Sequence, residues 1–213
     1  MRQRPLFATI LSLGLLAAPA AQAAAWEDEL FELRSRWEHT TTALEASRRE
    51  AALEALAEEA AALAEAHPET SRVLIWQGIV LASLAREAGG LDALGAAKEA
   101  RRVLERAVEL DPEGHRGSAY VTLGALYDRA PGWPVAFGDD ETAERMFQRA
   151  LAIRPDGIDV NTYYALYLED EGRTDAALEH ARRAVAGRAR EGREASDEAL
   201  RERARRLVVR LQP

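Results

Sequence analysis

Ala143-Glu-Arg-Met-Phe147-Gln-Arg-Ala150 and Ala177-Leu-Glu-His-Ala181-Arg-Arg-Ala184 lie 34 residues apart and share one layout. Each opens and closes two helical turns on alanine, with Phe147 or Ala181 between. A 34-residue period with small side chains at fixed helical positions is what stacked helical hairpins require. One hairpin cannot bury its own apolar face, so each needs neighbours. The pattern also reaches back one unit. Leu104-Glu-Arg-Ala-Val-Glu-Leu-Asp-Pro112 matches Phe147-Gln-Arg-Ala-Leu-Ala-Ile-Arg-Pro155 in residue type at most of nine positions. These stretches predict an all-α chain, a short α-solenoid with a concave face.

Outward from there the units are read in turn. Residues 71–114 carry Leu74, Gly78 and Leu81 on a first helix and Ala100, Leu104 and Ala107 on a second. Gly89-Gly90 divides the two and Asp111-Pro112 ends them, about ten residues beyond the standard period. Residues 115–157 place Tyr120, Leu123, Gly124 and Tyr127 before Ala143, Phe147 and Ala150, with Pro155 as the stop. Residues 158–189 are of standard length, with Tyr164, Ala165 and Leu168, a turn at Gly172, and a second helix from Ala177 to Val185. Residues 24–70 read as a degenerate pair. Trp26, Leu30, Leu33 and Trp37 recur at helical spacing, and Phe31, off that stripe, is expected to face a neighbour. The second helix runs from about Ala43 to Ala66, with Thr42-x-x-Glu45 and Ser47-x-x-Glu50 as competing capping boxes. His67-Pro68 ends it. Residues 190–213 hold a capping helix after the polar connector Gly187–Gly192, with Ser196 as its expected cap. Its stripe is Leu200, Ala204, Leu207 and Leu211, and arginines crowd its back.

Residues 1–23 read as an export signal. Arg2 and Arg4 precede a short apolar run, Leu6 to Ala18, and Ala21-Gln22-Ala23 is a small-x-small cleavage site. The run is short for a membrane span, although an uncleaved anchor is the alternative. The expected location is a bacterial periplasm, with no integral membrane segment after cleavage. Without Arg2 and Arg4, 26 basic residues face 36 acidic ones, a net charge of −10. Nucleic acid is a poor partner for such a chain, because phosphate binding needs concentrated positive charge. No cysteine is present, which excludes disulfides, thiolate metal sites and a cysteine nucleophile.

Tyr120, Leu123, Gly124, Tyr127, Ala143, Phe147, Ala150 and Pro155 together resemble the tetratricopeptide repeat family, filling all eight of its pattern positions. The resemblance covers roughly 120 residues and weakens before Ser71. It implies a right-handed stack of antiparallel helix pairs whose first helices line a groove. Gly89-Gly90-Leu91, Pro131-Gly132-Trp133-Pro134, Phe137-Gly138-Asp139 and Pro155-Asp-Gly-Ile-Asp159 look like small exported bacterial repeat proteins. Those are distantly similar to the T component of tripartite ATP-independent periplasmic transporters, which is thought to bind small apolar ligands.

The resemblance carries groove positions over to Arg72, Ile75, Ile79 and Ala82, then Ser118, Val121, Ala125 and Asp128, then Asp159, Thr162, Leu166 and Glu169. This surface would grade from apolar to acidic and suit an extended or helical peptide with apolar and basic residues. The family's carboxylate clamp has no counterpart, since Ile75 and Ile79 occupy its places. The insertion Ala130–Asp140 has two readings. In one, Trp133 and Phe137 offer a partner aromatic anchors; in the other, both rings plug the widened hairpin while Asp139 or Asp140 caps the next helix. The expected activity is non-enzymatic, without cofactor or metal. His39, His67, His115 and His180 have no metal-ligand spacing, no serine sits in G-x-S-x-G, and Gly89-Gly90 lacks the Lys of a phosphate loop. The expected occupant is a protein or peptide partner, with a small apolar ligand as the alternative.

Overall fold

Two glycines set how closely the helices approach. A Cβ on Gly78 would lie 2.4 Å from Leu104 Cγ, and one on Gly124 would lie 2.7 Å from Phe147 Cε1. Each glycine therefore receives the large side chain of its partner helix. Ala143, Ala150, Ala177, Ala181 and Ala184 are buried where the helices of a pair meet. Small residues at these crossings let the paired helices pack closely, while the first four helices enclose larger side chains around Leu53 and Trp76.

The computed structural model describes residues 18–212. Among them are nine helices: α1 (Ala18–Thr42), α2 (Ala46–Ala66), α3 (Ser71–Glu87), α4 (Gly90–Leu110), α5 (Gly114–Arg129), α6 (Asp140–Ile153), α7 (Ile158–Asp170), α8 (Thr174–Ala186) and α9 (Glu194–Leu211). Most of the expected export signal lies outside the described residues, and α1 begins ahead of its cleavage site. No helix among the described residues is long and apolar enough to cross a membrane. The closest packing is within α3–α4, α5–α6 and α7–α8, and the first helices α3, α5 and α7 also touch in succession. The chain is an all-α solenoid of the tetratricopeptide type.

Several local expectations need correction. The second helix starts at Ala46 after Glu45, so neither Thr42 nor Ser47 is its cap. Phe31 is largely exposed. In the fifth helix His115, Arg116 and Gly117 all take positive φ (47°, 56° and 76°), which displaces the chain before Ser118. Left-handed backbone costs a non-glycine residue about 1–2 kcal/mol, and here it turns the His115 ring edge-on to Trp76, centroids 5.7 Å apart. Asp139, not Asp140, caps α6: its Oδ1 accepts from the Thr142 N–H at 2.7 Å.

The last helix departs most from expectation. It starts at Glu194, so Ser196 lies inside it, and the Ser196 N–H donates to Glu38 Oε1 of α1 at 2.8 Å. Besides ending the stack on α8, α9 packs along α7 and reaches α1. It therefore lies over the side that the first helices line, and joins the last repeat to the first helix.

Candidate functional site

Between the first helices and α9 is a cavity of about 750 Å3. Ile79 and Ala82 reach it from α3, Ser118 and Val121 from α5, and Asp159 from α7, while Leu200 and Arg203 close it from α9. These positions coincide because the first-helix pattern turns one face inward at every unit; α9 packs Leu207 on α7 and α8 and turns Ser196, Ala199, Leu200 and Arg203 to the cavity. Leu91 and Val135 line the same space yet are 85% and 61% exposed, which marks its mouth.

The cavity wall also includes a buried polar cluster. Asp159, in the first turn of α7, accepts from Arg154 Nη2 at 2.5 Å and from the Val160 N–H at 2.9 Å. Arg190, from the connector before α9, places Nη1 2.7 Å from Asp159 Oδ2 and also pairs with Asp197. Burial alone would raise the Asp159 carboxyl, but Arg190 and Arg154 pull it down to about 2. Arg193 is buried without a carboxylate partner among the described residues. Its guanidinium lies 4.5 Å from the Trp37 ring and 5.0 Å from that of Trp76, and its Nε donates to Ser196 Oγ at 3.1 Å. Burial, then the charge of Arg190, lowers its pKa to about 10.

His115 borders this cluster and is held neutral. Burial first, then the charges of Arg193, Arg34, Arg190 and Arg154, depress its pKa to about 3. Burial also lowers His180. Below about pH 6.5 the unfolded chain takes up protons that the folded chain refuses, so stability falls with pH until about pH 3. Urea denaturation is expected to show a loss of about 1–2 kcal/mol from His115 between pH 6.5 and 5, with His180 adding in the same direction. His115→Gln should remove the larger share. An unfolding free energy that is flat over that range in the parent would contradict this account of His115.

The structure brings some of the predicted positions together and separates others. Ile79, Ser118, Val121 and Asp159 line the cavity. Ile75 and Thr162 are both 0% exposed, so they support the wall from behind and offer no surface. Arg72 pairs with Glu27 of α1 at 2.6 Å and stacks on Trp26, and Glu169 is held by Arg210 of α9. Asp128 is half-buried 3.8 Å from Arg129, off the cavity wall, and burial raises its pKa. The insertion divides between its two readings. Phe137 packs edge-on to Tyr127 at 5.5 Å with Arg101 over it, while Trp133 is 89% exposed.

The electrostatic expectation reverses. In place of an acidic end, guanidinium groups from Arg86, Arg129, Arg203 and Arg206 join Arg190 and Arg193 on the wall, against the carboxylates of Glu87 and Asp159. The connector and α9 supply most of these, and no spacing in the linear sequence shows that they fold back inside. Trp37 was legible as an apolar stripe position, but its place beside the cavity was not. Among the described residues no cluster of His, Asp or Glu is arranged to hold a metal ion.

The repeat stack has relatives. Residues 29–184, 156 of the 213, match the family described as TRAP transporter T-component. The chain belongs to that family. As a T-component family member it is also similar in fold to TTC0263, a thermophilic TPR protein of Thermus thermophilus, at 17% identity and a TM-score of 0.57, covering 90% of this chain and 95% of that one. MamA is similar at 18% identity and a TM-score of 0.48, covering 77% and 89%. No curated protein matches the sequence significantly. The first of these structures supports the repeat fold of this family member and nothing finer.

Proposed function

We propose that this T-component family member is a non-catalytic accessory of a periplasmic transport system, holding a small molecule between its repeats and α9. The observation that carries the reading is the cavity itself. A space of about 750 Å3 whose lining surface is mostly apolar, with charged groups set into it, is within the usual size range of small-molecule sites. An open trough for a peptide would need the first helices uncovered, whereas α9 packs on α7 and α1 and faces α3 and α5 across the cavity. The leader-like residues 1–23 and the family support an exported location.

A protein partner fits the outside of the same site. Leu91, Trp133 and Val135 are exposed large apolar residues on the α3–α4 turn and the 130–140 loop, where a docking protein would meet the cavity mouth. Such a partner would receive or deliver the ligand there.

Native mass spectrometry of the protein purified from cells tests the ligand. A bound small molecule is expected in the parent and should be depleted in Ala82→Trp, whose indole would project into the cavity from α3. Both proteins should show the same helical circular dichroism. A parent that neither carries a small molecule nor takes one up from a cell extract would overturn the proposal.

A further inference from the structure

We propose that the cavity selects amphipathic anions, an apolar chain ending in one carboxylate or phosphate group that the α9 guanidinium of Arg203 receives. The inference rests on the small-molecule reading above and adds the class of ligand.

The apolar part of the wall is built from side chains such as Ile79, Leu94, Val121, Leu126 and Leu200, which can bury a hydrocarbon body. The polar part is unbalanced. Asp159 is already committed to Arg154 and Arg190, and Arg190 is shared with Asp197. The other lining carboxylate, Glu87, pairs with Arg86 at 3.2 Å. Arg129 and Arg206 each have a carboxylate within 3.8 Å. Arg49 and Arg193, also on the wall, have no carboxylate among the described residues but donate to Leu44 O and Ser196 Oγ; Arg203 makes neither an ion pair nor a side-chain hydrogen bond among them, although it is half-buried on the cavity wall.

Its surroundings are also of its own sign. Burial first, then the charge of Arg129, with Arg86 and Arg206 adding to it, lowers the Arg203 pKa. A guanidinium on a partly desolvated wall among like charges is unfavourable without a counter-charge. Its planar donors match a carboxylate or phosphate, to which they can bond in pairs. The occupant that relieves this arrangement is anionic at one end. Because most of the wall is apolar, the rest of the molecule is apolar too, and a small fully charged anion would leave that wall wetted. Leu91 and Val135 at the mouth extend the apolar path outward.

Isothermal titration calorimetry with ligands of one chain length separates the possibilities. Dodecanoate and dodecyl phosphate distinguish the two headgroup sources, dodecan-1-ol removes the charge and dodecyltrimethylammonium inverts it, all below their micellar concentrations. At least one anion is expected to bind about tenfold more tightly than the alcohol, and the cation more weakly still. Arg203→Gln should erase most of the anion's advantage and leave the alcohol unchanged, and Ala82→Trp should weaken every member. If alcohol, anion and cation bind alike and Arg203→Gln changes nothing, the anion inference fails while the ligand cavity stands. If no member binds and Ala82→Trp has no effect, both fail.

Discussion

Asp159→Ala is expected to destabilise the fold by about 3–5 kcal/mol, the usual cost of removing one partner from a buried ion pair. The carboxylate is fully surrounded and compensates two guanidinium groups, Arg154 and Arg190, that have little access to water. It also accepts the Val160 N–H near the start of α7, where negative charge interacts favourably with the helix dipole. Alanine removes all of this and leaves both cations buried. Urea denaturation at pH 7 is the measurement, and a loss below about 1 kcal/mol would mean that Arg154 and Arg190 find other partners or water. Asp159→Leu combined with Arg154→Met should recover part of the loss, because two apolar side chains carry no desolvation cost. The pH profile gives an independent check. Asp159 is depressed to about 2 in the folded protein, so its contribution is complete above the unfolded value of about 4 and is lost as pH falls from there towards 2. That window lies mostly below the one assigned to His115, so the two groups can be told apart.

Asp159 also shows how far the sequence could be read. Its place on the inward face of α7 was what the resemblance to the repeat family implied, as were those of Ile79, Ser118 and Val121. Periodicity fixes which way a helical position points, and the repeat carries that direction from unit to unit. What Asp159 would meet did not follow. Its partners Arg154 and Arg190 come from the end of α6 and from the connector after α8, and a connector has no period to read. For the same reason residues 187–193 read as a polar linker, whereas they deliver Arg190 and Arg193 to the interior. The final helix was legible as an amphipathic cap from Leu200, Ala204, Leu207 and Leu211. Its stripe could not say that it would lie along α7 towards α1, because the Ser196–Glu38 contact spans 158 residues. The insertion shows the same limit on a smaller scale: its rigidity was legible, but the separation of a packed Phe137 from an exposed Trp133 was set by the neighbouring Tyr127 and Arg101.

Trp76 passed without notice in the sequence because its neighbours Ile75 and Ile79 matched the groove pattern, yet it is the largest fully buried side chain of the described residues. Trp76→Ala is expected to cost about 3–5 kcal/mol from lost burial and the cavity left behind. The ring also links separate parts of the chain. Trp37 of α1 meets it edge-on at 5.5 Å, His115 of α5 at 5.7 Å, and Arg34 and Arg193 sit 5.3 and 5.0 Å from its centroid. Its loss would withdraw cation–π attraction from two guanidinium groups and loosen the hold of α9 on the first helices. Trp76→Phe separates these contributions. Phenylalanine keeps an aromatic face and removes the indole Nε1–H, a buried donor without a partner among the described residues. Losing an unsatisfied donor offsets part of the smaller ring's packing loss, so Phe should cost under about 1.5 kcal/mol. Chemical denaturation followed by far-UV circular dichroism gives both numbers. Equal losses for Phe and Ala would show that the indole N–H has a partner after all, and that shape at this position matters more than the aromatic face. A large loss for Ala alone would place this part of the stability in the aromatic face shared by Trp76 and Arg193. Ligand binding would then depend on the same contact, since Arg193 lines the cavity from its place on that ring.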